Sequence, residues 1–404
     1  MRLISDLHVH SRFARATSNE LNIPNLEKWA KVKGLGLIGT GDFTHPEWNQ
    51  ELKRDLKEDG TGILKTENNF PFVLQTEVSL MYSQGNKGRR VHLVLLAPSF
   101  EIVDQIIDYF AKKGRLDYDG RPIFGLNAIE VTESLKSISD QIEIIPAHIW
   151  TPWFGLLGSK SGFNSFEEAF EDQVKHIYSL ETGLSSDPPM NWRLSQLDKY
   201  SILSFSDLHS FWPWRIGRES TIFELPELTY KNLINAIRTK QGLAGTIEVD
   251  PGYGKYHFDG HRFCKFSCSP QDSKKRNNTC PRCNKQLTIG VLNRVEELAD
   301  REEGFKPENP KPFHSLLPLH ELISLVLETS ISTQKVWKEY NHLIMKFGNE
   351  FDILLNTPEE QLIKVVSEKI TSTIIKNREG KIKVKPGYDG EYGKAMLEEQ
   401  KTLF

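Results

Sequence analysis

The chain has 404 residues, 26% of them charged and 38% hydrophobic, with a formal net charge of −3. This length predicts two or three modules, and the composition is that of a folded globular protein rather than a disordered one. The charge balance excludes a polycation, so any nucleic-acid contact must come from local basic patches. No apolar run is long enough to span a bilayer and the first residues carry no signal-peptide core, so a cytoplasmic protein without a membrane partner is expected. All four cysteines fall between Cys264 and Cys283. That clustering reads as a metal site in a reducing compartment rather than as disulfides.

In chain order, residues 1–6 read as a strand running into Asp6-Leu7-His8-Val9-His10. Residues two apart on a strand share a face, so His8 and His10 can grip one metal cluster. A lone His-x-His pair is usually incidental, and the weight falls on the placing of the other candidate ligands. A helix is predicted over 25–33 and a strand over 35–40, after which stands Asp42. Glu77 sits near the end of a strand at 72–78, and a further helix is expected over 101–112. His148 follows a strand at 143–147, while Asp207 and His209 follow one at 202–206. His92 is the exception, because it begins its strand (91–96) instead of ending it. The alternation through about residue 245 predicts parallel α/β units, as a barrel or an open sheet. Ligands gathered from the C-terminal ends of successive strands are how barrel enzymes build sites. Imidazole and carboxylate donors with no thiolate nearby suit Zn²⁺, Mn²⁺ or Fe.

His8-Val9-His10, Asp42, Glu77, His92, Pro146-Ala147-His148 and Ser206-Asp207-Leu208-His209 resemble the successive motifs of the PHP (polymerase and histidinol phosphatase) superfamily. The resemblance implies an α/β fold built on a distorted (β/α)7 barrel and a trinuclear metal site that hydrolyses phosphate esters. It carries His8, His10, Asp42, Glu77, His92, His148, Asp207 and His209 over as ligands, with Asp42, Glu77, Asp207 and His209 at the catalytic centre. Two positions depart from the pattern. The second motif reads Gly41-Asp42-Phe43-Thr44-His45, so Asp42 is taken as the ligand and His45 as an outer-shell or surface group. The histidine many members supply soon after the first motif is missing, with Arg15 or Thr17 near its place, which leaves two or three metals open. Zinc is expected in this cluster, with Mg²⁺ or Mn²⁺ as alternatives for activity. Close cations would lower the pKa of a bridging water and clamp the phosphoryl oxygens in an in-line displacement. Arg218, near a strand at 220–224, either neutralises the phosphate or forms a structural ion pair.

Residues 251–300 are different: polar, basic and centred on the cysteines. Cys264-x3-Cys268 and Cys280-x2-Cys283 form a four-thiolate pattern close to a zinc ribbon. A structural zinc on Cys264, Cys268, Cys280 and Cys283 is expected. Lys274, Lys275 and Arg276 beside it suit a phosphate backbone, or are simply a solvated face. Helices are predicted over 315–327, 333–347 and 358–376. The expected organisation is a catalytic domain at 1–250, the zinc module at 251–300, a helical DNA-binding domain at 301–393 and a tail at 394–404.

The run Gly254-Lys255-Tyr256-His257-Phe258-Asp259-Gly260-His261-Arg262, the cysteine ribbon, and Pro386-Gly387-Tyr388-Asp389-Gly390-x-Tyr392-Gly393 together resemble the endonuclease Q family along almost the whole chain. That resemblance implies cleavage of double- or single-stranded DNA on the 5′ side of uracil, hypoxanthine, xanthine or an abasic site. Because four thiolates complete a tetrahedral zinc, His257 and His261 are expected to be structural or DNA-facing. Reading a damaged base requires unstacking it into a pocket with flat apolar walls. Trp150, Trp153 and Phe154 follow His148, while Phe211, Trp212 and Trp214 follow His209, and Trp192 lies in another loop. These are the candidate walls, against the plainer reading that most of them pack the top of the barrel. Two other functions compete: a phosphatase acting on a small phosphomonoester, and a non-catalytic DNA-binding protein on the same scaffold. Last, Gln400-Lys401-Thr402-Leu403-Phe404 resembles the short peptide by which bacterial repair proteins hold the sliding clamp. Gln400 would fill a small polar pocket and Leu403-Phe404 an apolar one; otherwise that pair packs back on the helical domain.

Overall fold

The opening strand, Arg2–Asp6, lies between a parallel neighbour, Leu37–Gly39, and an antiparallel one, Ser220–Glu224. This computed structural model describes residues 1–397. Beyond Leu37–Gly39 comes Pro71–Gln84, again parallel, which folds back antiparallel on Lys87–Ala97. Glu143–Pro146 then pairs antiparallel with Lys87–Ala97. Ser179–Glu181 and Ser201–Leu203 form a parallel pair of their own. They are tied in on both sides: Ile149 N–H donates to the Glu181 carbonyl, and the Thr221 hydroxyl accepts from Ser204 N–H while donating to the Ser204 carbonyl. The strands therefore lead round to Ser220–Glu224, beside the first of them.

The class is α/β, as the alternation predicts, but the sheet is mixed rather than parallel. The antiparallel hairpin accounts for the odd placing of His92. Its strand runs opposite to Pro71–Gln84, with Ser79 paired to His92 and Glu77 to Val94. A residue in the first half of a reversed strand thus stands level with residues late in the forward one.

Local sequence fixes the helices that brace this sheet. Asn22 caps Ile23–Lys33 by accepting from Asn25 N–H, Pro24 occupies the first turn, and Gly34 closes the other end at φ +97°. Lys31 and Lys33 in the last turn suit the negative end of the helix dipole. In the next unit Trp48 is fully buried and its Nε1–H donates to the Thr40 and Gly41 carbonyls. Burying a side chain of that size contributes on the order of 3 kcal/mol, and it sets the turn that carries Asp42.

Leu319–Leu327, Gln334–Phe347 and Glu368–Arg378 are the main C-terminal helices. The single helix expected over 358–376 is two, Glu359–Leu362 and Glu368–Arg378, because the Ser367 side chain accepts from Ile370 N–H and starts a new helix there. A buried ion pair joins this region to the sheet domain. Lys33 Nζ lies 2.7 Å from Glu350 Oε1 and donates to the Pro213 carbonyl at 2.9 Å, while Glu350 also accepts from Leu319 N–H and the Tyr340 hydroxyl. With both charges engaged by several partners, the pair acts as a register pin, since an unpartnered charge there would be costly.

The chain end departs from the expected boundaries. Pro386–Gly393, assigned above to the helical domain, packs against the start of the cysteine module: Gly387 N–H bonds the Gly252 carbonyl, Gly390 N–H that of Lys255, and Gly393 N–H that of Tyr253. Lys394–Met396, at the start of the expected tail, pairs with Lys383–Lys385 as a strand. Backbone hydrogen bonding, which composition does not reveal, attaches these residues to the body. Gln400, Leu403 and Phe404 lie outside the described residues. Among the described residues no helix is long and apolar enough to cross a membrane.

Candidate metal centre and adjoining cavity

Two groups of donor atoms meet at one buried carboxylate, and each group could hold a metal ion. His8, His10, Glu77 and Asp207 form the first, and Glu77, His92 and His148 the second. Glu77 Oε2 lies 3.5 Å from His8 Nε2 and 3.3 Å from His10 Nε2, while Oε1 lies 2.7 Å from His92 Nδ1 and 3.2 Å from His148 Nε2. Asp207 Oδ1 completes the first group, 3.0 Å from His10 Nε2. The donor set is imidazole and carboxylate, which suits divalent zinc or manganese. His8 Nε2 is fully buried and has no hydrogen-bond partner. A buried polar atom without a partner needs an explanation, and a cation at this point supplies one.

Backbone conformation brings these groups together. Asp42, His148 and Asp207 all have positive φ, at 41°, 31° and 47°. Left-handed backbone is uncommon for any residue but glycine, although aspartate and histidine adopt it more readily than most. Strained residues just past strand ends swing side chains across the sheet end, and strain of this kind concentrates at functional sites. Gly183 lets the chain pass close to His148, because a Cβ there would meet the His148 side chain.

Further carboxylates orient the imidazoles. Glu181 takes both its oxygens to His8 Nδ1, at 2.9 and 3.0 Å, and also accepts from His148 N–H. Asp42 Oδ1 lies 2.9 Å from His10 Nδ1, and its Oδ2 accepts from the backbone and hydroxyl of Ser11. Each contact leaves Nε2 of the histidine aimed inward, the arrangement that fixes the tautomer of a metal-binding histidine.

Electrostatics follow from this packing. Burial disfavours charge on His8, yet the Glu181, Glu77 and Asp207 carboxylates outweigh it and hold its pKa well above the usual value. His10 is raised likewise, with Asp42 the leading cause after burial. Glu77 is held well below the carboxylate range, because His92, Arg121 and His8 outweigh its desolvation. A cation entering the site must therefore displace protons from His8 and His10, so affinity falls on acidification.

Several sequence expectations are redirected here. Asp42 joins neither donor group; both its oxygens are spent on His10 and Ser11. His209 also stands outside them. Its Nδ1–H donates to the Asp207 carbonyl at 3.0 Å, its ring lies 4.8 Å from that of His10, and burial lowers its pKa. His45 is buried and stacks on Phe13. Glu181, Thr151 (on His148 Nδ1) and Arg121 (on Glu77) were not anticipated. Glu181 had a readable signal, since it ends a short strand, Ser179–Glu181, as other site residues stand at or just past the ends of theirs.

Beside the metal groups opens a cavity of about 600 Å³ whose walls include His92, Arg121, Asp207, Trp153, Tyr256 and Arg218. Of the proposed base-pocket aromatics only Trp153 and Phe154 reach it; Trp153 is 39% exposed and sits edge-on to Tyr256. Trp150 is in the core with Nε1–H on Asn191. Trp192 is buried and packs edge-on against Phe313. Trp212 and Trp214 stack on each other at 5.5 Å and meet Trp337 edge-on, at the junction with the helical region. Apolar contact with a distant helix claimed them instead of the cavity. Arg218 bonds the Ser206 carbonyl through Nε and Nη2, forms no ion pair among the described residues, and lines the cavity. Lys274, Lys275 and Arg276 lie at a helix end on the cysteine module, and Lys275 is 3.4 Å from Asp272.

The cysteine cluster differs from the expected four thiolates. His261, Cys264, Cys280 and Cys283 come together, with His261 Nδ1 3.3 Å from Cys283 Sγ, and Cys268 is not among them. In the hairpin formed by Asp259–His261 and Phe266–Cys268, His261 faces Phe266 and Cys268 faces Asp259. Cys268 is thus two residues, about 7 Å, farther from the turn than the His261 level. Counting thiolates alone could not register that displacement.

The MJ0043 C-terminal domain family matches residues 318–381. Protein MJ0043 of Methanocaldococcus jannaschii is 34% identical over 297 residues, 72% of this chain but only 36% of that protein, so the chain spans about a third of its length. YqxK of Bacillus subtilis is 28% identical over 97% of this chain and 99% of its own. Among solved structures, the lesion-specific endonuclease PfuEndoQ from Pyrococcus furiosus superposes with a TM-score of 0.89 at 32% identity, covering 99% of this chain and 96% of that one. Endonuclease Q in complex with a 27-mer duplex carrying an abasic lesion at its active site gives a TM-score of 0.88 at 32% identity, with 99% and 98% covered. With likeness of this extent over both chains, from the His8-Val9-His10 strand end to the final hairpin, this protein belongs to the endonuclease Q family.

Proposed function

We propose that the protein is a metal-dependent DNA repair endonuclease that hydrolyses the phosphodiester on the 5′ side of a deaminated base (uracil, hypoxanthine or xanthine) or an abasic site. The observation that carries this reading is the buried Glu77, shared between two donor groups whose His92, His148 and Asp207 line a cavity of about 600 Å³ with aromatic walls. A relative of the same fold holds a lesion-containing duplex at its active site. Cations bound by His8, His10, Asp207, Glu77, His92 and His148 would supply Lewis-acid activation of water and neutralise phosphoryl charge. The chain's own groups do the rest. Glu181 and Asp42 fix the imidazole tautomers, and Glu77 holds the two groups in register. His209, with Nδ1 committed to the Asp207 carbonyl, offers Nε2 at the cavity wall. Trp153 and Phe154 offer flat apolar surface to an unstacked base. A phosphatase for small phosphomonoesters would need neither the basic cysteine module nor the helical region.

The expected result is nicking of uracil-, hypoxanthine- or abasic-site duplexes by purified protein with Zn²⁺, Mg²⁺ or Mn²⁺, one cut 5′ to the lesion, and no cut in the undamaged control. Faster hydrolysis of p-nitrophenyl phosphate than of every damaged duplex would instead support the phosphatase.

The tail residues Gln400, Leu403 and Phe404 extend the proposal to recruitment by a sliding clamp. Binding should be micromolar, since few side chains anchor so short a segment. Titrating a clamp from the same organism should show binding by the full chain and none by a chain ending at Glu399. Equal binding by both, or by neither, would exclude it.

A further inference from the structure

We propose that Arg121 binds a non-bridging oxygen of the scissile phosphate, a fixed positive charge placed beside the two metal-ligand groups. This rests on the phosphodiesterase reading above. Arg121 Nη1 lies 3.0 Å from Glu77 Oε2, the oxygen that also faces His8 and His10. Its side chain is 24% exposed and forms part of the cavity wall. Among the described residues its only side-chain hydrogen bond is the one to Glu77. A guanidinium has five donors in a planar fork suited to phosphate, so most of them remain for a ligand.

The loop carrying Arg121 is held firmly. Asp119 Oδ1 accepts from the backbone N–H of Arg121 and of Arg15, and Asp119 Oδ2 lies 3.3 Å from Arg15 Nε. Gly120 N–H donates to the Phe13 carbonyl, and a Cβ at Gly120 would collide with the Asp42 carboxylate. On the other side the Pro122 carbonyl accepts from Ser79 N–H, within the strand that carries Glu77. A merely neutralising arginine would need no such clamping at the wall of an open cavity. Preorganised charge aimed at a reacting phosphate is the most effective form of electrostatic stabilisation. The donor set points the same way. Among the described residues two donor groups form around Glu77, and Asp42, which could have joined a third, is spent on His10 and Ser11. Arg121 supplies cationic charge on that side without a further ion.

Two variants and two readouts test this. In single-turnover cleavage of a uracil duplex, Arg121→Ala should be slower by about a hundredfold or more, with metal content and Tm as in the wild type. Arg121→Lys should recover part of the rate, and added guanidinium ion should rescue Arg121→Ala. Separately, in Ca²⁺, the wild type should bind the phosphate duplex about tenfold more tightly than one with a neutral methylphosphonate at the cleavage position. Arg121→Ala should show almost no such preference. A rate for Arg121→Ala within threefold of wild type, an unchanged methylphosphonate preference, or loss of metal in step with loss of rate would overturn the assignment. Failure of the wild type to cut any lesion duplex would instead overturn the nuclease reading.

Discussion

Replacing Asp207 with asparagine is expected to lower cleavage by roughly a thousandfold or more, equivalent to about 4 kcal/mol of transition-state stabilisation, while the fold and DNA binding persist. The substitution keeps the shape of the side chain and removes its charge. Asp207 Oδ1 lies 3.0 Å from His10 Nε2 and 3.7 Å from His8 Nε2, and the side chain is 30% exposed, at the open edge of the first donor group. It is also held strongly ionised, because His8, His10 and His209 outweigh its desolvation. An amide offers a neutral oxygen, so Glu77 is left as the sole anionic donor of the first group, which then holds a divalent ion less tightly. The fold should tolerate the change, since the main-chain contacts of this turn, such as the His209 bond to the Asp207 carbonyl, do not involve the carboxylate. Single-turnover nicking, metal analysis and anisotropy of a fluorescent duplex measure the three parts. Near-wild-type cleavage would remove Asp207 from the centre.

The reach of sequence reasoning here depended on whether a residue's role is local. His8 and His10 were legible because alternate residues of an extended run share a face, here just past the strand Arg2–Asp6, and His148 and Asp207 because each stands a few residues past a strand, Glu143–Pro146 and Ser201–Leu203. His92 looked misplaced only because strand direction is a tertiary fact, set by pairing with Pro71–Gln84. Asp42 has the right type and place, and nothing in its neighbourhood reveals that Ser11 and His10 consume both oxygens. Trp212 and Trp214 stand just past His209, and the sequence holds no sign that Trp337, far along the chain, will pack on them. Arg121 follows a glycine in a short acidic turn, which is an ordinary surface pattern until the Glu77 contact is seen. Long-range partners decide between a ligand, a support and a packing residue, and a single chain read in order does not contain them.

The cysteine module provides the sharpest case, and its outcome is a contrast between two single variants. His261→Ala should lower bound zinc by about one ion per chain and destabilise the module, whereas Cys268→Ser should leave zinc content and DNA affinity near wild type. His261, Cys264, Cys280 and Cys283 offer donor atoms within 4.8 Å of one another, and three thiolates with one imidazole make a complete tetrahedral set for zinc. Cys280 is prepared for the role. Against some loss of solvation, the backbone N–H groups of Arg282 and Cys283 bring its pKa down to about 6, which favours the thiolate form that zinc binds. Cys268 has other surroundings: Asp259 lies across the strand, and burial with the nearby Asp259 and Asp272 carboxylates raises its thiol pKa. Few buried apolar side chains hold this segment, chiefly Leu287, Val291 and Val295. A structural zinc in so small a module is therefore worth on the order of 10 kcal/mol of folding free energy. Replacing Cys280 and Cys283 together with serine should release the same ion while the cluster around Glu77 stays loaded, and DNA binding should weaken. Zinc content by mass spectrometry, read beside duplex affinity, separates the alternatives: loss of zinc in Cys268→Ser with retention in His261→Ala would restore the four-thiolate site.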